Sequence, residues 1–161
     1  MTPTIQQWSD WTFPNRGRFT DWRLFVEVVE KAPEKAGVYL LAVPSEEKPM
    51  QPRKLCRFLN EDPHGLIDIG EAANLRRRLK MLYKCATNRG TPGHMAGWRL
   101  GSLGLIDRLG CKADQLLVSW FKLGSKDEAY HWEGRLLDVY FSVFGELPPL
   151  NYKFNWSEFS K

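Results

Sequence analysis

Along the chain, apolar residues shift between helical spacing and short unbroken runs. From Thr20 to about Lys31, Trp22, Phe25, Val26 and Val29 recur at helical intervals, Thr20 or Asp21 can cap the start, and Pro33 closes the segment, so the spacing predicts a short helix. GVYLLAV (37–43), bounded by Gly37 and Pro44, reads as a buried strand, and a second strand follows at about 65–69. The polar, proline-bearing stretch between them (44–63) is long for a hairpin connection, with a short strand or turn at KLCRFL. In ANLRRRLKMLYKCA, Leu75, Leu79, Leu82 and Ala86 fall on one stripe and predict an amphipathic, basic helix. TNRGTPG breaks it, and MAGWRLGSLGLIDRLG offers a second, glycine-diluted helix. Residues 114–123 make a third strand. Ser125 and Glu128 form an S-x-x-E capping box at the head of a long helix that Gly145 and Pro148-Pro149 terminate. The order predicts an α/β or α+β domain built on a small sheet of roughly three strands, antiparallel or mixed, flanked by helices.

The first twenty residues have no such period. Trp8, Trp11, Phe13 and Phe19 lie there among polar residues, prolines and glycine, which reads as an irregular arm laid over the core. With 161 residues, 43% of them apolar, the chain is long enough for one ordinary domain with a sizeable core. No apolar run reaches the roughly 20 residues a bilayer requires, and the N-terminus lacks a basic patch followed by an apolar stretch, so no membrane association and a cytoplasmic location are expected. Cys56, Cys85 and Cys111 are widely spaced and without a CxxC or a His pair, so they are expected as buried or half-buried thiols, neither disulfides nor structural zinc ligands.

The formal charge of +4 is modest, but it is unevenly spread. Residues 53–108 hold eleven basic side chains against five acids, an excess of six, while the flanks together are slightly acidic. Such a concentration is the footprint of a phosphate-binding surface, or equally a solvated helix face. Two helices carry an anomaly. Glu133 falls inside the apolar face that Ala129, Trp132, Leu136, Tyr140, Val143 and Phe144 define, so it needs a cation, strong donors or an open cleft. A structural ion pair with an arginine and a metal ligand both answer that need. On the arginine helix, Arg77 projects to solvent while Arg76 and Arg78 sit on the two rims of the apolar stripe, and periodicity does not choose between them. Asp68 is an acid inside a strand that runs through Gly70 into this helix. No glycine-rich phosphate loop, hydrolase elbow or metal-binding His pair occurs.

GVY at 37–39, IDIG at 67–70 followed by NLRRRL, a glutamate heading E-x-x-L-L at 133–137, and PPLN at 148–151 occur in an order that resembles the GIY-YIG nuclease domain, over about Gly37 to Asn151. HMAGWRL at 94–100 also resembles the H-x-x-G segment of some restriction-enzyme branches of that family. The resemblance implies a division into an N-terminal arm and helix (1–35), a GIY-YIG-like domain (36–152) and a tail (153–161). It gives Tyr39 the place of the first motif's tyrosine, Gly70 the turn glycine, Arg78 the family's arginine, Glu133 the ligand of a single divalent metal, Mg²⁺ or Mn²⁺, and Asn151 the supporting asparagine. Asp68 stands where the family has the second tyrosine, and His94 is a candidate helper.

What the resemblance implies is a metal-dependent endonuclease acting on DNA, with RNA not excluded. Glu133 would hold the metal, Arg78 would neutralise charge on the phosphate, and Tyr39 with Asp68 would position or deprotonate the attacking water. Arg76, Lys80, Lys84, Arg89 and Arg99 would meet backbone phosphates. With no second DNA-binding domain in view, sequence specificity is expected to be limited, or supplied by a homodimer formed through the arm and loop 44–63. The second reading is a catalytically inactive module of the same fold that binds nucleic acid or a protein partner, Asp68 marking lost chemistry.

Overall fold

Strand β2 (Gly37–Ala42) is buried at every position, because it lies in the interior of the sheet and helices cover both faces. The structure, a computed structural model, describes residues 18–88 and 90–153. The fold is mixed α/β, and its sheet has four antiparallel strands in the order β1, β6, β2, β5. Beside β2, these are β1 (Arg23–Leu24), β5 (Leu66–Ala72) and β6 (Leu117–Lys122). Val38, Leu40 and Ala42 face one apolar cluster, and Tyr39, Leu41 and Val43 face the other, as the two-residue period of a strand requires.

The fourth strand corrects the expected count. The helix expected from Thr20 starts only at Phe25 (α1, Phe25–Lys31), because the preceding residues pair with β6 instead. Thr20 donates its N–H to the Trp120 carbonyl at 2.8 Å, and its hydroxyl accepts from the Trp120 N–H. A side chain able to cap a helix is thereby used to extend a sheet edge. Strand β5 also runs past its expected end at residue 69, through Gly70 to Ala72, with an irregularity opposite Leu41 and Ala42.

Helix α2 (Leu75–Thr87) opens on Asn74, whose side chain accepts from the Arg77 N–H, and buries Leu75, Leu79, Leu82 and Ala86 on the expected stripe. Each such leucine contributes roughly 1.5–3 kcal/mol of burial. The glycine-diluted stretch forms two helices, α3 (Met95–Ser102) and a single turn, α4 (Leu105–Arg108). Its glycines are the packing surface. A Cβ at Gly97 would meet the Leu82 carbonyl oxygen at 2.5 Å, and one at Gly101 the Cys85 carbonyl oxygen at 2.4 Å, so α3 crosses α2 with backbones almost touching. A 3₁₀ turn (Ala113–Gln115) leads into β6.

Helix α5 (Lys126–Phe144) covers the other face of the sheet. Ser125 caps it by accepting from the Glu128 N–H, while the Glu128 carboxylate reaches the N–H of Gly124. The long loop folds into a two-stranded ribbon, β3 (Leu55–Cys56) and β4 (Glu61–Asp62). Asp62 holds it down: fully buried, it accepts from the N–H groups of His64 and Leu66 and from the Tyr140 hydroxyl. The thiols are free, but Cys56 is exposed on this ribbon, which corrects the expectation that all three are covered; Cys85 is buried and Cys111 half-buried. No helix among the described residues is long and apolar enough to cross a membrane. Trp8, Trp11, Phe13 and most of the expected tail lie outside the described residues.

Candidate active site

Strand β5 is the edge of the sheet, and its open side is occupied by the segment that follows α5. Leu150 donates its N–H to the Ile67 carbonyl at 2.8 Å. Asn151 then uses both halves of its amide on one residue, Oδ1 accepting from the Ile69 N–H at 3.0 Å and Nδ2 donating to the Ile69 carbonyl at 2.8 Å. A primary amide thus satisfies the edge as a neighbouring strand would.

Where this segment leaves the edge there is a cleft of about 170 Å³. Its walls include Tyr39 from β2, Asp68 and Gly70 from β5, Arg78 from α2, His94 at the start of α3, Glu133 from α5, and Asn151. All six residues singled out as catalytic in the sequence therefore meet in one place. The two sheet faces can contribute jointly because the cleft lies beyond the edge strand, so that Tyr39 arrives from one side and Glu133 from the other.

The innermost group is a chain of three polar side chains. Tyr39 Oη lies 2.9 Å from Asp68 Oδ2 and 3.1 Å from His94 Nε2. His94 caps α3 through Nδ1, which accepts from the Gly97 N–H. That bond fixes the tautomer: Nδ1 is the acceptor, Nε2 carries the proton and donates to Tyr39, and Tyr39 donates to Asp68. Asp68 Oδ1 has no hydrogen-bond donor among the described residues, in a side chain that lines the cleft.

Burial sets the charges. It is the main cause that raises Asp68 to a pKa of about 6, opposed by the hydrogen bond from Tyr39 and the charges of Arg78 and Arg99. Tyr39 is held well above its ordinary value, first by burial and then by the Asp68 carboxylate, with Glu133 adding to the effect. His94 is pushed down to about 3 by burial and by Arg78. At neutral pH the imidazole and the phenol are therefore uncharged, and Asp68 is mostly ionised.

The two rim arginines separate cleanly. Arg76 donates to the Ala32 carbonyl and pairs with Glu34, which ties α2 to the turn after α1. Arg78 lines the cleft, and its guanidinium forms no ion pair among the described residues. Among the expected phosphate contacts, Lys80 is likewise paired, with Glu30 at 3.0 Å, while Lys84 is exposed and Arg77 projects to solvent as expected. These side chains border a shallower concavity of about 370 Å³. Arg99 is turned toward the cleft, donating to the Leu150 carbonyl at 3.1 Å, and Arg89 lies outside the described residues. Sequence reasoning missed this position of Arg99 and the presence of Met95, Tyr152 and Lys153 at the cleft mouth.

Glu133 is half-buried and lines the cleft, rather than being sealed among the apolar residues of its helix face. The described residues contain no group of three side chains able to cage a metal. Mg²⁺ is commonly held by one or two carboxylates, keeps several waters and takes the rest of its shell from substrate phosphate, so a cleft lined by Glu133 and by Arg78 suits it.

No family model, curated protein or solved structure matches the chain. The functional reading rests on the cleft.

Proposed function

We propose that the chain is a metal-dependent endonuclease that hydrolyses DNA phosphodiester bonds through a GIY-YIG-like site in which Asp68 replaces the second motif's tyrosine. The observation that carries this reading is the meeting of Tyr39, Asp68, Arg78, Glu133 and Asn151, drawn from over a hundred residues of sequence, in one cleft, with Arg78 in no ion pair among the described residues and Glu133 half-buried on its wall. Mg²⁺ or Mn²⁺ held by Glu133 would supply stabilisation of charge on the phosphate and on the leaving oxygen.

The protein's own groups divide the remaining work. Arg78 faces the phosphate and neutralises negative charge that grows on it. Asp68, ionised above about pH 6 and with Oδ1 lacking a protein donor among the described residues, accepts the proton of the attacking water. Tyr39 is too strongly held as a phenol to act as that base, so it orients the carboxylate by donating to Oδ2. His94, neutral and fixed by its helix cap, holds the phenol in place. The aspartate therefore takes over proton removal instead of marking lost chemistry.

The test is cleavage of supercoiled plasmid and of labelled duplex oligonucleotide with Mg²⁺ or Mn²⁺. Cleavage that EDTA stops and Glu133→Gln lacks supports the reading. Wild-type protein that binds DNA but never cuts it leaves the inactive binding module in its place.

A further inference from the structure

The mouth of the cleft carries apolar side chains that face water. Helix α3 buries Ala96, Gly97, Leu100 and Gly101 and turns Met95 (50% exposed) and Trp98 (38% exposed) outward, one turn apart on the same stripe. Met95 is itself part of the cleft wall, as is Tyr152, which is 59% exposed. Cations interleave with them. The Arg99 guanidinium lies 5.3 Å from the centre of the Tyr152 ring and the Lys153 ammonium 5.6 Å from it, while Arg78 lines the cleft alongside. Scattered exposed apolar residues need no explanation. Met95 and Tyr152 on the wall of a cleft, with two cations against the Tyr152 ring and Trp98 one helical turn beyond Met95, do.

We infer that Met95, Trp98 and Tyr152 form a platform on which an unstacked nucleobase rests beside the phosphate in the cleft, so that the preferred substrate is DNA with unpaired nucleotides at the point of cutting. This rests on the nuclease reading above. Every base has an apolar face that stacks on aromatic side chains whatever its identity, and neighbouring arginines and lysines attract the backbone on either side of it. Bases in a continuous duplex already stack on each other. Such DNA meets the rim through phosphates alone and leaves the platform unused, whereas a single strand or a mismatch bubble engages both.

The experiment is fluorescence anisotropy of the wild-type chain in EDTA with labelled oligonucleotides: a single strand, a blunt duplex, and a duplex with a central bubble. The single strand and the bubble should bind about tenfold more tightly than the duplex, and Trp98→Ala or Tyr152→Ala should each remove most of that advantage. Trp98→Phe should keep it, since a ring remains. Tyr152 lies on an exposed segment outside the helices, so its variant keeps the test informative if Trp98→Ala fails to fold. Duplex bound as tightly as the unpaired probes, or native-like alanine variants that bind every probe as the parent does, would overturn the inference. Metal-dependent duplex cleavage with no effect of Trp98→Ala or Tyr152→Ala removes the platform and leaves the nuclease. Absence of binding to all three probes removes both.

Discussion

The ring of Tyr39 lies across Gly70: a Cβ at position 70 would come within 2.3 Å of both Cζ and Oη of the tyrosine. The two residues are partners in the β2 and β5 register. A side chain from an interior strand can therefore reach over the edge strand to Asp68 and His94 only because its partner has none. Tyr39 is 1% exposed and has nowhere to retreat. Gly70→Ala should destabilise the fold by about 1–3 kcal/mol and displace the phenol from Asp68. Urea denaturation measures the first effect and plasmid cleavage the second, with near-complete loss of activity expected in the folded fraction. Wild-type stability and activity in this variant would show that Tyr39 has room the structure does not give it.

The adjacent arginines should respond in opposite ways. Arg76→Ala removes the bond to the Ala32 carbonyl and the pair with Glu34, so it should lower stability by about 1 kcal/mol and leave the cleavage rate near that of wild type. Arg78→Ala removes no ion pair seen among the described residues. It should leave stability within about 0.5 kcal/mol while reducing kcat about a hundredfold or more. Denaturation curves and single-turnover rates on both variants decide the matter, and the reverse pattern would exchange their roles.

How much of this was legible in the sequence depends on whether a residue's role is local. The α2 stripe, the Ser125 cap and β2 follow from periodicity and capping chemistry, and they stand where those rules put them, whereas β6 starts only at Leu117 because a 3₁₀ turn takes Ala113–Gln115 from the strand expected over 114–123. Thr20 was misread because a hydroxyl that caps a helix also serves a strand, and only its distant partner Trp120 decides between them. The glycines of α3 looked like dilution because their purpose is the α2 backbone opposite. At the cleft, periodicity exposed Glu133 as an anomaly and narrowed the arginine to two. The choice between Arg76 and Arg78 depends on Glu34 and Ala32, which no local pattern connects to α2. The bond between His94 and Tyr39 was likewise out of reach, since it joins residues 55 apart.

Glu133→Gln keeps the shape of a half-buried side chain and removes its charge. If this carboxylate holds the metal, cleavage should fall by at least about a hundredfold while duplex and single-strand binding in EDTA are unchanged or tighter, because a negative charge facing the phosphate has gone. Binding should weaken steeply with salt in both proteins. Mn²⁺ titration followed by paramagnetic broadening should show weaker binding in the variant. Full activity in Glu133→Gln would remove this residue from the chemistry.

Asp68 provides a test in which activity and stability move apart. As the base, it must be ionised, so kcat/KM should rise with pH to a plateau above about 6, and Asp68→Asn should lose the rate by about a hundredfold or more. For stability the sign is opposite. Its pKa in the folded protein, about 6, exceeds the roughly 4 of an unfolded aspartate, so its contribution is fully present below about pH 4 and is lost as pH rises through 6. That span corresponds to about 3 kcal/mol, and the stability of Asp68→Asn relative to wild type should grow by up to this amount between pH 4 and pH 7. His94 acts in the other direction: with its pKa held at about 3, its contribution is present above about 6.5 and lost as pH falls. In wild type the two trends oppose each other between pH 4 and 6. Removing Asp68 should expose the histidine's, leaving a variant more stable than wild type at neutral pH yet falling off more steeply toward acid. Asp68→Tyr, which puts a ring into a buried site beside the Tyr39 hydroxyl, should lower both rate and stability. A rate increase in that variant would instead mean that the aspartate is the lesion in a site that works better with a second phenol.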